Sequence, residues 1–246
     1  MKELKIAGIA LAAILMVLNT TSCNKEGNGG NINNEKKIVK MSETWDNGTP
    51  HTFKLQYDEN GRLNKVTEVD KNGGIVANMD SFIWGDDIIN CTDGEGYTIT
   101  LENGLMQYSD AWGGATFTYN KSNRMTKMEM PQAGGITNAT WDGDKLTLVT
   151  GDYDVYHAIT YQDSCKKGYC PITGLLINDG TPFYFLFIAH PELIGIRTNK
   201  LPATISLDNE NSDISTYSYE FDSDGYVTKV TELNSDYTLT YDLTWE

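Results

Sequence analysis

The chain has 246 residues, enough to bury a sizeable core in one or two domains, and its 23 Gly, 14 Tyr and only 6 Pro favour strands and turns over helices. A formal net charge of −15 argues against poly-anionic partners: nucleic acid and anionic lipid headgroups meet like-charge repulsion.

The N-terminus reads as an export signal. Lys2 and Lys5 precede an apolar run over residues 6–18 that is too short to span a bilayer but suits a signal h-region. Thr20-Thr21-Ser22-Cys23 then sets small residues before a cysteine, as in a bacterial lipoprotein signal, with cleavage before Cys23 and lipid on its thiol. The third position before Cys23 is not Leu, and an ordinary signal peptide is the alternative. Several acyl chains on one residue give a stable membrane anchor. Residues 24–37 are almost wholly Asn, Gly, Lys and Glu and can bury very little. The expected organisation is a signal peptide over 1–22, a flexible tether over 23–37 and one β-rich domain over 38–246.

The domain opens with Phe53, Leu55 and Tyr57 alternating with polar residues, the period of a strand with one buried face. Asp58 to Gly61 carries turn chemistry, with Gly61 suited to positive φ in a type I turn plus bulge. Leu63 and Val66 open the return strand. The unit recurs without a gap at Tyr119 to Met128, with Asn123 in place of Gly61, and at Phe221 to Val230, with Tyr217 and Tyr219 leading in. Related hairpins are expected around Gly85-Asp86-Asp87, Asn103-Gly104 and Asp142-Gly143-Asp144. At the end Tyr237, Leu239, Tyr241, Leu243 and Trp245 share one face of a strand. Ten or more such strands curl or close to hide their edges.

One segment breaks the pattern. Thr181-Pro182-Phe183 to His190-Pro191 is apolar on every side, with Thr181 as a cap candidate, Pro182 at the first helical position and Pro191 as the stop. A short buried helix against a concave sheet is expected; a buried strand fits the same composition.

The Tyr-x-Tyr-Asp-type hairpins, the apolar segment followed by Gly195, the run Asn199-Lys200-Leu201-Pro202 and the closing Phe221-Asp222 to Val230 stretch together resemble a Bacteroidetes lipoprotein domain of unknown function with a porin-like fold. The resemblance covers roughly residues 38–246. Its motifs are structural and carry no catalytic residue across. The hairpin alone is similar to the Tyr-Asp repeats of large secreted proteins. Cys23-Asn24-Lys25-Glu26 is similar to the charged signal that sends such lipoproteins to the outer face.

Candidate chemistry is sparse. His51, His157 and His190 form no metal spacing, and neither a nucleophile elbow nor a phosphate-cradling glycine loop is present. The acidic turns Asp142-Gly143-Asp144 and Asp222-Ser223-Asp224-Gly225 either bind calcium or are solvated turn carboxylates; the second lacks the EF-hand Gly and Glu positions. Cys165 and Cys170 flank a short loop in an exported chain and are expected to form a disulfide, leaving Cys91 as a buried thiol. Trp112, followed by Gly113-Gly114, is either folded back onto the core or exposed for stacking on sugar rings.

The sequence therefore predicts an all-β, curved or barrel-like antiparallel meander of repeated hairpins with one short apolar helix. The expected role is a lipid-anchored cell-envelope module, binding or structural and without catalysis, in the outer membrane on the periplasmic or the favoured surface face. A surface carbohydrate-binding accessory lipoprotein is the alternative. A hydrolase would need two convergent carboxylates, and a membrane-spanning barrel an apolar outer belt. No metal or cofactor is expected. The expected partners are the membrane through the anchor, and a neutral glycan or an envelope protein.

Overall fold

The computed structural model describes residues 35–93, 96–132, 135–152, 156–177, 181–207 and 213–246, and Lys36–Glu246 is one compact unit. The signal peptide, Cys23 and most of the tether lie outside the described residues.

The strands run β1 (Ile38–Trp45), β2 (His51–Tyr57), β3 (Leu63–Val69), β4 (Ile75–Trp84), β5 (Ile88–Cys91), β6 (Tyr97–Glu102), β7 (Leu105–Ser109) and β8 (Ala115–Tyr119). They continue as β9 (Met125–Met130), β10 (Gly135–Asp142), β11 (Lys145–Gly151), β12 (Tyr156–Ser164), β13 (Lys200–Ser206), β14 (Ile214–Phe221), β15 (Val227–Leu233) and β16 (Thr238–Trp245). Each pairs antiparallel with its sequence neighbours, and β1 pairs with β16, so the meander closes into a barrel. Closure removes the free edges that a flat meander of this length would expose. Lys37 N–H donates to Glu246 O at 2.6 Å and Glu246 N–H returns to Lys37 O at 2.9 Å, so the wall begins just before Ile38. The rim where β1 starts and β16 ends is the tether rim; the opposite one is the far rim.

The repeated hairpin folds as its residues dictate. The Asp58 carboxylate accepts the N–H groups of Asn60 and Arg62 at 2.9 and 2.8 Å, and Asn120 and Asp222 do the same work in their own turns. Gly61, Asn123 and Gly225 take φ of +75°, +59° and +96°, the region that Gly and Asn reach most easily. The register slips by one residue after each turn, between Gln56/Tyr57, Thr118/Tyr119 and Glu220/Phe221. That bulge turns two residues spaced by three, rather than by two, toward the same face. Leu63 and Val66, Met125 and Met128, and Val227 and Val230 all point into the barrel, each at most 1 % exposed.

Pairing is uneven along the wall. Hairpins that turn at the tether rim stay paired up to their turn, as in Tyr57↔Leu63 and Asp142↔Lys145. Hairpins that turn at the far rim are paired beside their turns but mostly open before they reach the tether rim. The β1/β2 ladder stops at Lys40↔Lys54, the β7/β8 ladder at Tyr108↔Thr116 and the β9/β10 ladder at Lys127↔Asn138. Each pair then splays into a seam, and one aromatic side chain spans it. Tyr57 OH donates to Ile38 O at 2.8 Å, Trp84 Nε1 to Leu63 O at 2.7 Å, and Tyr119 OH to Met106 O at 2.6 Å. Trp141 Nε1 reaches Met125 O, Tyr161 OH reaches Leu146 O, Tyr219 OH reaches Pro202 O and Trp245 Nε1 reaches Val227 O, all within 2.9 Å. The exception explains itself: β5 and β6 remain paired to Ile88↔Thr100, and β6 carries Leu101 where the others carry a ring. Each clasp satisfies a carbonyl that has lost its ladder partner, a net contribution of about 1 kcal/mol.

Four seams are covered by a cation from the residue just before the clasped carbonyl. Lys37, Arg62, Arg124 and Lys145 lie 5.8, 5.8, 5.4 and 5.8 Å from the ring centres of Tyr57, Trp84, Trp141 and Tyr161. Gln162 Nε2 fills the β13/β14 seam by donating to Pro202 O and Tyr217 O, and Tyr226 packs 5.1 Å from Trp245 at the β15/β16 seam.

The barrel is filled, not hollow. The long β12–β13 connection enters from the tether rim and carries α1 (Ile172–Leu175), α2 (Tyr184–Ala189) and a 3-10 turn at Pro191–Ile194. Phe183, Phe187, Ile188 and Ile194 are fully buried. Phe183 meets Tyr97 and Phe117 edge-on at 5.8 Å, and Phe53 meets Phe185 at 5.0 Å. The expected helix is present, with two corrections. It starts two residues later than predicted, with Phe183 rather than Thr181 at its cap position and Pro182 in the preceding turn. A second helix, α1, accompanies it. Gly195 (φ +70°) lies so close to Asn123 O that no Cβ fits between plug and wall.

Candidate functional site

The β7/β8 seam has a clasp but no cover. The capping position before Met106 holds Leu105, which reaches no ring as a Lys or Arg would, and the seam stays open as a cleft of about 460 Å³. Its floor is the half-buried Leu105, with half-buried Gln107 and Tyr119 on its sides and the buried Phe117 behind, its ring turned to the plug. Its exposed rim carries Glu102, Asn103, Thr118 and Asn123. Amides and hydroxyls therefore surround an apolar floor, with one carboxylate among them. The volume lies within the usual range for small-molecule sites.

Trp112 sits at the far-rim end of the same hairpin. It is 48 % exposed, so the indole is not folded back into the core. The backbone beneath it is unusual: φ is +49° and ψ is +36°, a left-handed conformation that costs a bulky L-residue on the order of 1–2 kcal/mol. The loop holds it there. Asp110 accepts Thr98 N–H at 2.6 Å through its carboxylate, Ser109 Oγ accepts Ala111 N–H at 3.1 Å, and Gly114 N–H closes on Ala111 O at 3.0 Å. Tyr108, 44 % exposed on the outer face of β7, lies beside Gly114 with its ring edge 3.6 Å from where a Cβ would stand. Trp112, Tyr108 and the cleft thus follow one another along one hairpin.

A second polar cluster, unanticipated, lies inside the barrel toward the far rim. Glu43 accepts Trp45 Nε1–H at 2.7 Å and Tyr184 OH at 3.0 Å. Glu232 accepts Ser215 Oγ–H and Tyr237 OH, both at 2.7 Å. Burial first, and the two carboxylate charges second, push the Tyr241 hydroxyl well above its ordinary range, so it keeps its proton and remains a donor. The signal was in the sequence: Glu43 shares its phase with Met41 and Trp45, and Glu232 with Val230. Each carboxylate is engaged by two donors, the arrangement that lets a charge sit in an apolar interior.

The other sequence candidates are placed as follows. Cys165 and Cys170 do not form the predicted disulfide. Instead the two residues bracket the chain entering β13: Cys165 N–H donates to Asn199 O and Cys170 N–H to Thr198 O, while Cys165 Sγ lies 3.4 Å from Asn199 O. Both thiols are buried, and burial pushes the Cys170 thiol up to about 11. Cys91 is buried as expected. Lys36 Nζ lies 2.7 Å from Asp224 and 3.6 Å from Asp222, supplying the positive charge that a calcium ion would bring. Among the described residues no group of His, Cys, Asp and Glu is arranged to hold a metal. His190 accepts Leu63 N–H at Nε2 and lies 2.8 Å from Glu192 through Nδ1, tying plug to wall. His51 pairs with Glu68 on the surface, and His157 Nδ1 lies 3.3 Å from Leu176 O. Cys23 lies outside the described residues.

No protein-family model and no curated protein matches the chain. Among solved structures, a porin-like protein from Bacteroides uniformis superposes with a TM-score of 0.58 at 19% identity, over 85% of this chain and 98% of that one. A porin-like protein from Bacteroides vulgatus gives the same TM-score at 14% identity, over 86% of this chain and 99% of that one. The chain therefore shares the closed antiparallel barrel of these porin-like Bacteroides proteins.

Proposed function

We propose that this chain is a lipid-anchored, non-catalytic module of the outer cell envelope, whose barrel works in water rather than across a bilayer. The observation that carries this reading is the sense of its polarity. Side chains facing out include Lys54, Gln56, Thr116, Asn138, Thr140 and Asp242, all exposed. Those facing in are mostly apolar and pack against the plug, with a few buried polar groups such as Glu232 and Ser215 hydrogen-bonded to one another. A membrane-spanning pore has the opposite arrangement, with an apolar outside and a polar lumen. Exposed apolar side chains on the described wall are densest on β4, at Ile75, Val76, Met79 and Ile83; the others, Trp45, Ile88, Tyr108, Ile214, Phe221 and Leu233, are scattered over β1, β5, β7, β14 and β15 among polar neighbours.

Attachment then falls to the N-terminal segment that precedes Lys36. Lipid on Cys23 would retain the chain at the membrane. Metabolic labelling with palmitate tests this: label on the parent and none on Cys23→Ala supports the reading, and equal label on both removes it. A surface carbohydrate-binding accessory role is favoured as the more specific version by one feature, the exposed Trp112 held in a left-handed backbone.

A further inference from the structure

We infer that the outer face of the β7–β8 hairpin is a binding track for a linear, uncharged polysaccharide, running from Trp112 past Tyr108 into the open seam. The inference rests on the binding-module reading and adds to it a site and a ligand class.

Three observations converge. The first is the missing cover. The barrel solves the same structural problem repeatedly: a splayed seam, an aromatic clasp and a cation, amide or ring laid over it. At β7/β8 the clasp is kept, Leu105 stands at the covering position, and the seam opens to solvent as a cleft of ligand size. The second is the chemistry of the lining. Asn103, Gln107, Asn123 and Thr118 offer both donors and acceptors in side chains without charge, beside the half-buried Leu105. Hydroxyl groups on a ligand can give and take hydrogen bonds with such a set, while its C–H faces meet Leu105. The third is the strip of exposed aromatics. Trp112 and Tyr108 present flat surfaces for stacking. The Trp112 indole is pre-positioned by a loop that tolerates strain to keep it there.

Size and charge select the class. From Tyr108 to Leu105 the strand advances about 10 Å at roughly 3.4 Å per residue, and Trp112 lies beyond, so the track suits a chain of several sugars. Glu102 on the cleft rim, Asp110 beside Trp112 and the net charge of −15 all repel anionic polymers. Stacking and neutral hydrogen bonds need no counter-charge.

The test is affinity electrophoresis of the full chain on gels containing starch, laminarin, xylan, galactomannan or mannan, with polygalacturonate as the anionic control. Two variants probe the two ends of the track. Trp112→Gly removes the indole while giving the left-handed position its preferred residue, so thermal stability should hold or rise. Gln107→Ala trims a half-buried amide in the cleft. The expected result is retardation of the parent on at least one neutral polymer, no retardation on polygalacturonate, and about tenfold weaker affinity for each folded variant, the equivalent of one stacking or hydrogen-bonding contact. Retardation unchanged in both variants would place the glycan elsewhere and overturn the track while leaving the binding module standing. Absence of retardation on every neutral polymer would overturn it as well; the anchored-module reading would still be judged separately by the palmitate label. Retention on immobilised extended peptides instead, lost in Thr118→Pro, would assign the seam to strand addition and overturn it too.

Discussion

Tyr119→Phe isolates a single aromatic clasp. The substitution removes one oxygen and keeps the ring, so no cavity of consequence is left. The hydroxyl donates to Met106 O at 2.6 Å and lies 3.3 Å from Leu193 O, joining β7 to β8 and both to the plug. Met106 is fully buried, and the β7/β8 ladder has already ended at Tyr108, so no strand N–H stands ready to replace the lost donor. An orphaned buried carbonyl costs about 1–3 kcal/mol. With a urea slope of about 2 kcal/mol per M, a loss of about 2 kcal/mol moves the unfolding midpoint down by about 1 M at unchanged slope. Tyr108→Phe, on the exposed face of the neighbouring strand, serves as the control and should stay within about 0.5 kcal/mol of the parent. If the two variants unfold at the same urea concentration, the clasps contribute nothing and the account of why the repeat carries its aromatic residues fails.

Three further outcomes follow from the packing. Phe185→Asp, which puts an unpaired carboxylate against Phe53 inside the barrel, should destabilise by about 3 kcal/mol or more; a midpoint equal to the parent's would mean the plug is not seated. The Asp222 carboxyl is held below its usual range chiefly by the Tyr226 N–H, against the opposing effect of burial and with further help from Gly225 and Lys36. A depressed carboxyl stabilises the fold above the ordinary carboxylate range and stops doing so as pH falls through its folded value. Asp222→Asn keeps the turn acceptor, as Asn120 does, so the stability gap between parent and variant should shrink below about pH 4; a gap independent of pH would contradict this. In the denatured, unreduced chain Cys91, Cys165 and Cys170 should all take up an alkylating reagent, and a pair that resists alkylation until reduced would restore the disulfide.

The hairpins were legible because their information is local: Gly61, Asn123 and Gly225 mark the turns, and the three-residue spacing of Leu63 and Val66 already encodes the bulge. Closure was not, since β1 and β16 come from opposite ends of the domain and nothing local to Ile38 names Trp245 as its neighbour. The helical plug was half legible. An all-apolar stretch announced burial, but with no polar face its starting residue had no periodic signal, and α1 is too short to have a period. Glu43 and Glu232 stood at inward phases of their strands and could have been found by asking which carboxylates break an apolar face. The cleft was hidden for a different reason. It exists because Leu105 stands where Lys37, Arg62, Arg124 and Lys145 stand in other repeats, and that comparison needs the clasp to be seen first.

The central claim, that an acyl chain and not the barrel holds this protein at the membrane, is tested most directly by detergent phase partition of the full chain and of Cys23→Ala. The parent should enter the detergent phase. The variant, with its wall of Lys, Thr, Asn and Asp facing water, should move to the aqueous phase while keeping the far-ultraviolet signature of a folded barrel. A folded Cys23→Ala that remains in the detergent phase would mean that the barrel itself is embedded, and would contradict the account.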